Sequence, residues 1–125
     1  MGTYLAVALG GALGSVARFW VAGTMAALVG ARFPWGTLLI NVLGSFVIGA
    51  MAGLTLTPAR MGVHPDFRIF VMVGICGGFT TFSSFSLQTL ELLQAGEIVP
   101  AFGYILGSVV LCLVFVWLGW LLGRL

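Results

Sequence analysis

Residues 77 to 85 read GGFTTFSSF: two glycines, then four hydroxyl side chains with Phe82 and Phe85 set among them. At about 100° per residue, Thr81, Ser84, Phe85 and Gln88 share one arc of a helix, with Phe82 at its edge. Such an arc offers neutral hydrogen-bond donors and aromatic edges of positive quadrupole character. Neutral donors suit an anion that must bind and then leave, where a buried Lys or Arg would hold it. Ordinary helix packing is the other reading of the two rings. Asn41, in GTLLINVLGS, is either an interhelical clamp or an amide donor to a passing anion. Tyr104 and Ser108, four apart, form a further polar stripe. Arg18, in GSVARFW, either snorkels to an interface or marks the mouth of an aqueous vestibule that attracts anions.

The rest of the chain says what must position these residues. Of 125 residues, 61% are hydrophobic and 6% are charged, against roughly 25% charged in a soluble domain. With a mean hydropathy of +1.20 nothing is left for a solvated surface, so the fold class is an all-α integral membrane protein. The N-terminus has no Lys or Arg ahead of its apolar run, so no signal peptide is expected, and Ala6 stands where a myristoylation signal needs Ser or Thr. A net charge of +2 is too small to draw nucleic acid. Cys76 and Cys112 sit in apolar runs and read as small buried hydrophobes, not as a disulfide or metal pair. His64, in a polar loop without a nucleophile or ligand partner nearby, gives no enzyme.

Four spans fit one membrane domain: about 4–28, 35–56, 67–94 and 98–122, each near the ~20 residues that cross a bilayer core. Pro34 suits a helix start and Pro100 falls in the first turn of the last span. An even number of spans puts Arg60, Arg68 and Arg124 on the side of both termini, with Arg32 opposite and Arg18 in the far half of the first span. That bias is thin, compatible with one orientation or with insertion both ways. Pairs of glycines four apart recur in every span: Gly10/Gly14, Gly49/Gly53, Gly74/Gly78, Gly103/Gly107 and Gly119/Gly123. They let helix backbones approach closely, and four short helices are too few to enclose a wide pathway, so a homo-oligomer is expected.

The third span is the unusual one. GG followed by TT invites a break between two halves, neither long enough to cross a bilayer alone. A break at membrane depth leaves orphan carbonyls on one half and orphan N–H groups on the other, and these must face protein, water or an ion. A continuous helix with a small-residue packing face is the alternative.

GGALGSVARFW, WGTLLINVLGSFVIG and GICGGFTTFSSFS, in the first three spans, resemble the fluoride channels of the CrcB/Fluc family. The resemblance implies an antiparallel, dual-topology homodimer in the cell's inner (plasma) membrane, with two narrow pores that let cytoplasmic fluoride leave passively. It implies a structural sodium ion at the subunit interface, held by the main-chain carbonyls of Gly77 and Thr80. Phe82 and Phe85 become pore lining, Asn41 a pore donor, and Ser83 and Ser84 a polar track beside the rings. Tyr104 and Ser108 add weaker pore positions, and Arg18 matches the arginine of the N-terminal motif. Gln88 stands where some relatives have a glutamate, so no role that needs ionisation is carried over.

Two other classes compete. Small multidrug-resistance exporters are four-span chains of this size, but they couple protons through an acid in the first span. Here the acids are Asp66, Glu91 and Glu97, all near span ends. A non-transporting assembly subunit would need only the glycine faces, and leaves the hydroxyl and phenylalanine cluster without a reason.

Overall fold

A computed structural model describes residues 1–55 and 63–125; the expected end of the second span at Leu56, and Arg60, lie outside the described residues. Four helical stretches are long and apolar enough to cross a membrane. The first is α1, Gly2–Val29, which ends at Gly30 with φ 85°, a conformation only glycine adopts freely. The second is α2, Trp35–Thr55, and the last is α6, Ile98–Arg124.

The third stretch is built in pieces. A short helix α3, Pro65–Ile69, passes into a π-helical turn, Phe70–Ile75, and then into α4, Cys76–Phe79. Thr80 (φ −79°, ψ 157°) and Thr81 (φ −155°, ψ 116°) are extended, and α5, Phe82–Gln94, restarts the helix. The 13 residues of α5 rise only ~20 Å at 1.5 Å each, short of the ~30 Å hydrocarbon core.

The break is therefore present, but the glycines do not make it. Gly77 and Gly78 remain helical inside α4, and the two threonines interrupt the helix. Threonine is β-branched and favours extended backbone, and Thr81 gains an N-cap by accepting the Ser84 N–H at 3.1 Å. Gly78 serves packing instead: a Cβ there would run into the Gly11 carbonyl of α1.

The same logic pairs the long helices. Gly10 and Gly74 face each other, so that a Cβ on either would come within 2.9 Å of the other's Cα. Along α2 and α6, Gly49 abuts the Val116 carbonyl and Gly119 the Phe46 carbonyl, while Gly53 and Gly123 meet the next turn of the opposite helix. These are backbone approaches that any side chain would prevent. Gly103 and Gly107 differ, with open space where their Cβ atoms would stand, so this pair packs against none of the described residues. At one end of the bundle Phe85, Leu92, Ala101 and Tyr104 form a buried cluster covered by Phe33, Leu38 and Ile105.

Candidate functional site

The extended pair Thr80–Thr81 leaves peptide groups that helix geometry no longer serves, and α2 supplies the remedy. Asn41 meets Thr81 edge to edge: the Thr81 N–H donates to Oδ1 at 2.8 Å, and Nδ2 donates to the Thr81 carbonyl at 3.1 Å. The side-chain amide thus mimics a neighbouring strand. Asn41 is a clamp on the break in this structure, and its second N–H has no hydrogen-bond acceptor among the described residues.

The clamp has a consequence for the carbonyls of α4. In a continuous helix the Thr81 N–H would bond the Gly77 carbonyl; Asn41 takes it. The Thr80 carbonyl, on extended backbone, receives no hydrogen bond among the described residues. Both residues line one cleft, and a Cβ at Gly77 would meet nothing within 4 Å. Hard, neutral carbonyl oxygens are the kind of ligand that suits a small cation such as sodium.

That cleft has a volume of about 360 Å³ and is walled by α2, the broken third span and α6. Asn41, Thr81, Phe82, Phe85 and Ser108 line it. Ser108 is 7% exposed, and its hydroxyl is buried with no hydrogen-bond partner among the described residues. An orphan hydroxyl costs on the order of 1–3 kcal/mol if nothing ever bonds it. The two rings differ sharply. Phe82 is 77% exposed, whereas Phe85 is 9% exposed and packs on Tyr104 at a centroid distance of 5.0 Å and on Phe82 at 5.3 Å.

The remaining sequence candidates fall nearby or elsewhere. Ser83 and Ser84 cluster on the Thr81 hydroxyl, at 3.2 and 3.1 Å, and do not line the cleft. Tyr104 is fully buried, and its hydroxyl donates to Gln88 Oε1 at 3.0 Å. Gln88 thereby leaves the arc it shares with Thr81 and Phe85 and faces a second cleft, which Thr37 also lines. Arg18 is half-buried on α1 and lines neither cleft. Sequence reasoning passed over Thr37, although it stands four residues before Asn41, one turn along the same face of α2. The N-cap at Thr81 was equally legible, since a threonine beside a glycine-rich helix end is a capping residue.

The family profile described as CrcB-like protein, Camphor Resistance (CrcB), matches residues 5–120. The chain belongs to the CrcB family. A relative from Rhodospirillum rubrum is 57% identical over 94% of this chain and 91% of its own length. One from Opitutus terrae is 60% identical over 95% and 90%, and one from Thermus thermophilus 50% identical over 98% and 96%. Each of these relatives is named "Fluoride-specific ion channel FluC", the name of a channel and not of an enzyme. With four apolar helices of spanning length, the chain is a multi-pass membrane protein of an ion-channel family.

Proposed function

We propose that the chain is a passive, fluoride-selective channel that lets cytoplasmic fluoride leave the cell across the inner membrane. The observation that carries this is the identity of 57–60% over more than nine-tenths of the chain to relatives named as fluoride-specific channels. The cleft supports it with neutral groups only: the second Asn41 N–H and the Ser108 hydroxyl, both without a partner among the described residues, and the edges of Phe82 and Phe85. These groups replace part of the anion's hydration without the permanent charge that would trap it. Hydrogen fluoride crosses lipid neutral and ionises inside, so a passive path for the anion suffices to lower the internal level. In cells stripped of their own fluoride exporters, expression of this chain should restore growth in fluoride medium. Growth no better than with an empty vector would sink the reading.

The working form in this proposal is an antiparallel homodimer, the second copy closing the open side of each cleft. Ser83, Ser84 and Tyr104 hold the polar groups around the pathway, and Arg18 draws anions toward a vestibule. The carbonyls of Gly77 and Thr80 from both copies would give four oxygens on the twofold axis, holding a structural sodium ion there. Bound sodium supplies positive charge that satisfies carbonyls lipid cannot serve. On exchange of sodium for a bulky organic cation, fluoride flux or dimer stability should fall, while a sodium gradient should drive no uphill fluoride movement. Flux and dimer both indifferent to the exchange would remove sodium from the account.

A further inference from the structure

The second cleft, about 380 Å³, lies at the end of the bundle where the α1–α2 and α5–α6 loops meet. The two clefts share no lining residue, but neighbouring turns of the same helices line them. On α2, Asn41 lines the first cleft and Thr37, one turn earlier, lines the second. On α5, Phe85 lines the first and Gln88 the second, and buried Tyr104 bridges them, its ring on Phe85 and its hydroxyl on Gln88. Polar positions one turn apart, Asn41 and Thr37 on α2 and Ser108 and Tyr104 on α6, thus lead from the helix break toward this end of the molecule, beside the buried cluster around Phe85.

At the outer edge of that run stand three charges. Arg32 Nη2 donates to Glu97 Oε1 at 2.7 Å, and Glu91, one turn beyond Gln88, lines the same cleft. The Arg32 side chain is 89% exposed, so the contact adds little to stability. Glu97 is held in place by the turn that precedes α6, where Gly96 takes φ 76° and the Glu97 N–H bonds the Leu92 carbonyl at 2.9 Å. The turn thus sets an acid against an exposed arginine at the edge of the second cleft.

We propose that the Arg32–Glu97 pair is the electrostatic rim of the anion pathway's second mouth, with Glu97 offsetting the attraction that Arg32 exerts on entering anions. This inference rests on the channel reading above. A unit charge about 7 Å from an ion in water changes its local concentration by about two- to threefold. The effect extends ~30 Å at 0.01 M ionic strength and only ~3 Å at 1 M.

The test is fluoride flux through the reconstituted protein at sub-saturating fluoride, at low and at high ionic strength. Glu97→Gln should raise flux about two- to threefold at low ionic strength, and Arg32→Gln should lower it by a similar factor, leaving Glu91 and Glu97 facing the mouth. Both differences should fade at ~1 M salt. The double variant should fall between the singles. Shifts of the same sign in both variants, shifts that persist at high salt, or no shift at all would overturn the proposal, the first two by making the pair a structural latch. A parent protein that passes no fluoride would overturn the channel reading instead, and this inference with it.

Discussion

Asn41→Ala should abolish most fluoride flux and also lower the protein's thermal stability, and the second effect distinguishes a clamp from a simple pore donor. The substitution strands two main-chain groups of Thr81, a residue only 8% exposed. Each buried group left without a partner costs about 1–3 kcal/mol. The break then has no external support, and α5 loses the anchor that aims Phe82 and Phe85 into the cleft. A fall in flux of at least roughly tenfold corresponds to only about 1.4 kcal/mol, well within that loss. Asn41→Asp isolates half of the clamp: ionised, it still accepts the Thr81 N–H but donates nothing to the Thr81 carbonyl. It should recover part of the stability and none of the flux, since a carboxylate repels an anion. Thermal unfolding and fluoride efflux on the same preparations decide the matter. Flux lost with stability unchanged in Asn41→Ala would leave the amide as a pore donor alone.

Phe82→Ile and Phe85→Ile should both cut fluoride flux by roughly tenfold or more, yet they should part company in stability. An isoleucine keeps apolar bulk and loses the ring edge that a passing anion meets. Phe82 is largely exposed within the chain and makes a single ring contact, with Phe85, so its replacement should cost the protomer little more than that one pair, about 0.5–1.5 kcal/mol. Phe85 belongs to the buried cluster and contacts both Tyr104 and Phe82, and each aromatic pair is worth about 0.5–1.5 kcal/mol beyond its area. Its replacement should therefore cost stability as well as flux. The informative ring is Phe82, because its packing within the chain is limited to the one contact with Phe85. Full flux through the Phe82→Ile protein would remove the aromatic edges from the mechanism.

Much of this was legible in the residues, for identifiable reasons. Four apolar stretches separated by Pro, Gly and charged residues leave little choice of architecture, and GG followed by TT announces a discontinuity. The exact hinge was not legible. Glycine weakens a helix in isolation, but Gly78 lies against Gly11 of α1 and the helix continues through it; the extended backbone falls to the threonines, where a partner amide waits on α2. That partner is forty residues away in sequence, and no local rule connects Asn41 to Thr81. The π-helical turn over Phe70–Ile75 was not legible either; its Gly74 packs against Gly10 of α1, a contact no local pattern announces. Helical periodicity placed Ser84 and Gln88 in one arc with Phe85. Hydrogen bonds to Thr81 and Tyr104 then drew them to different surroundings.

The central claim is that this cleft passes fluoride, by itself and in preference to other anions. The direct measurement loads liposomes containing the purified protein with potassium fluoride or potassium chloride and follows each anion with a selective electrode. A passive channel carries charge, so efflux must wait until valinomycin lets potassium follow. The account predicts rapid fluoride release on addition of valinomycin and little chloride release under the same conditions. Comparable chloride release, or fluoride release that ignores valinomycin, would contradict it.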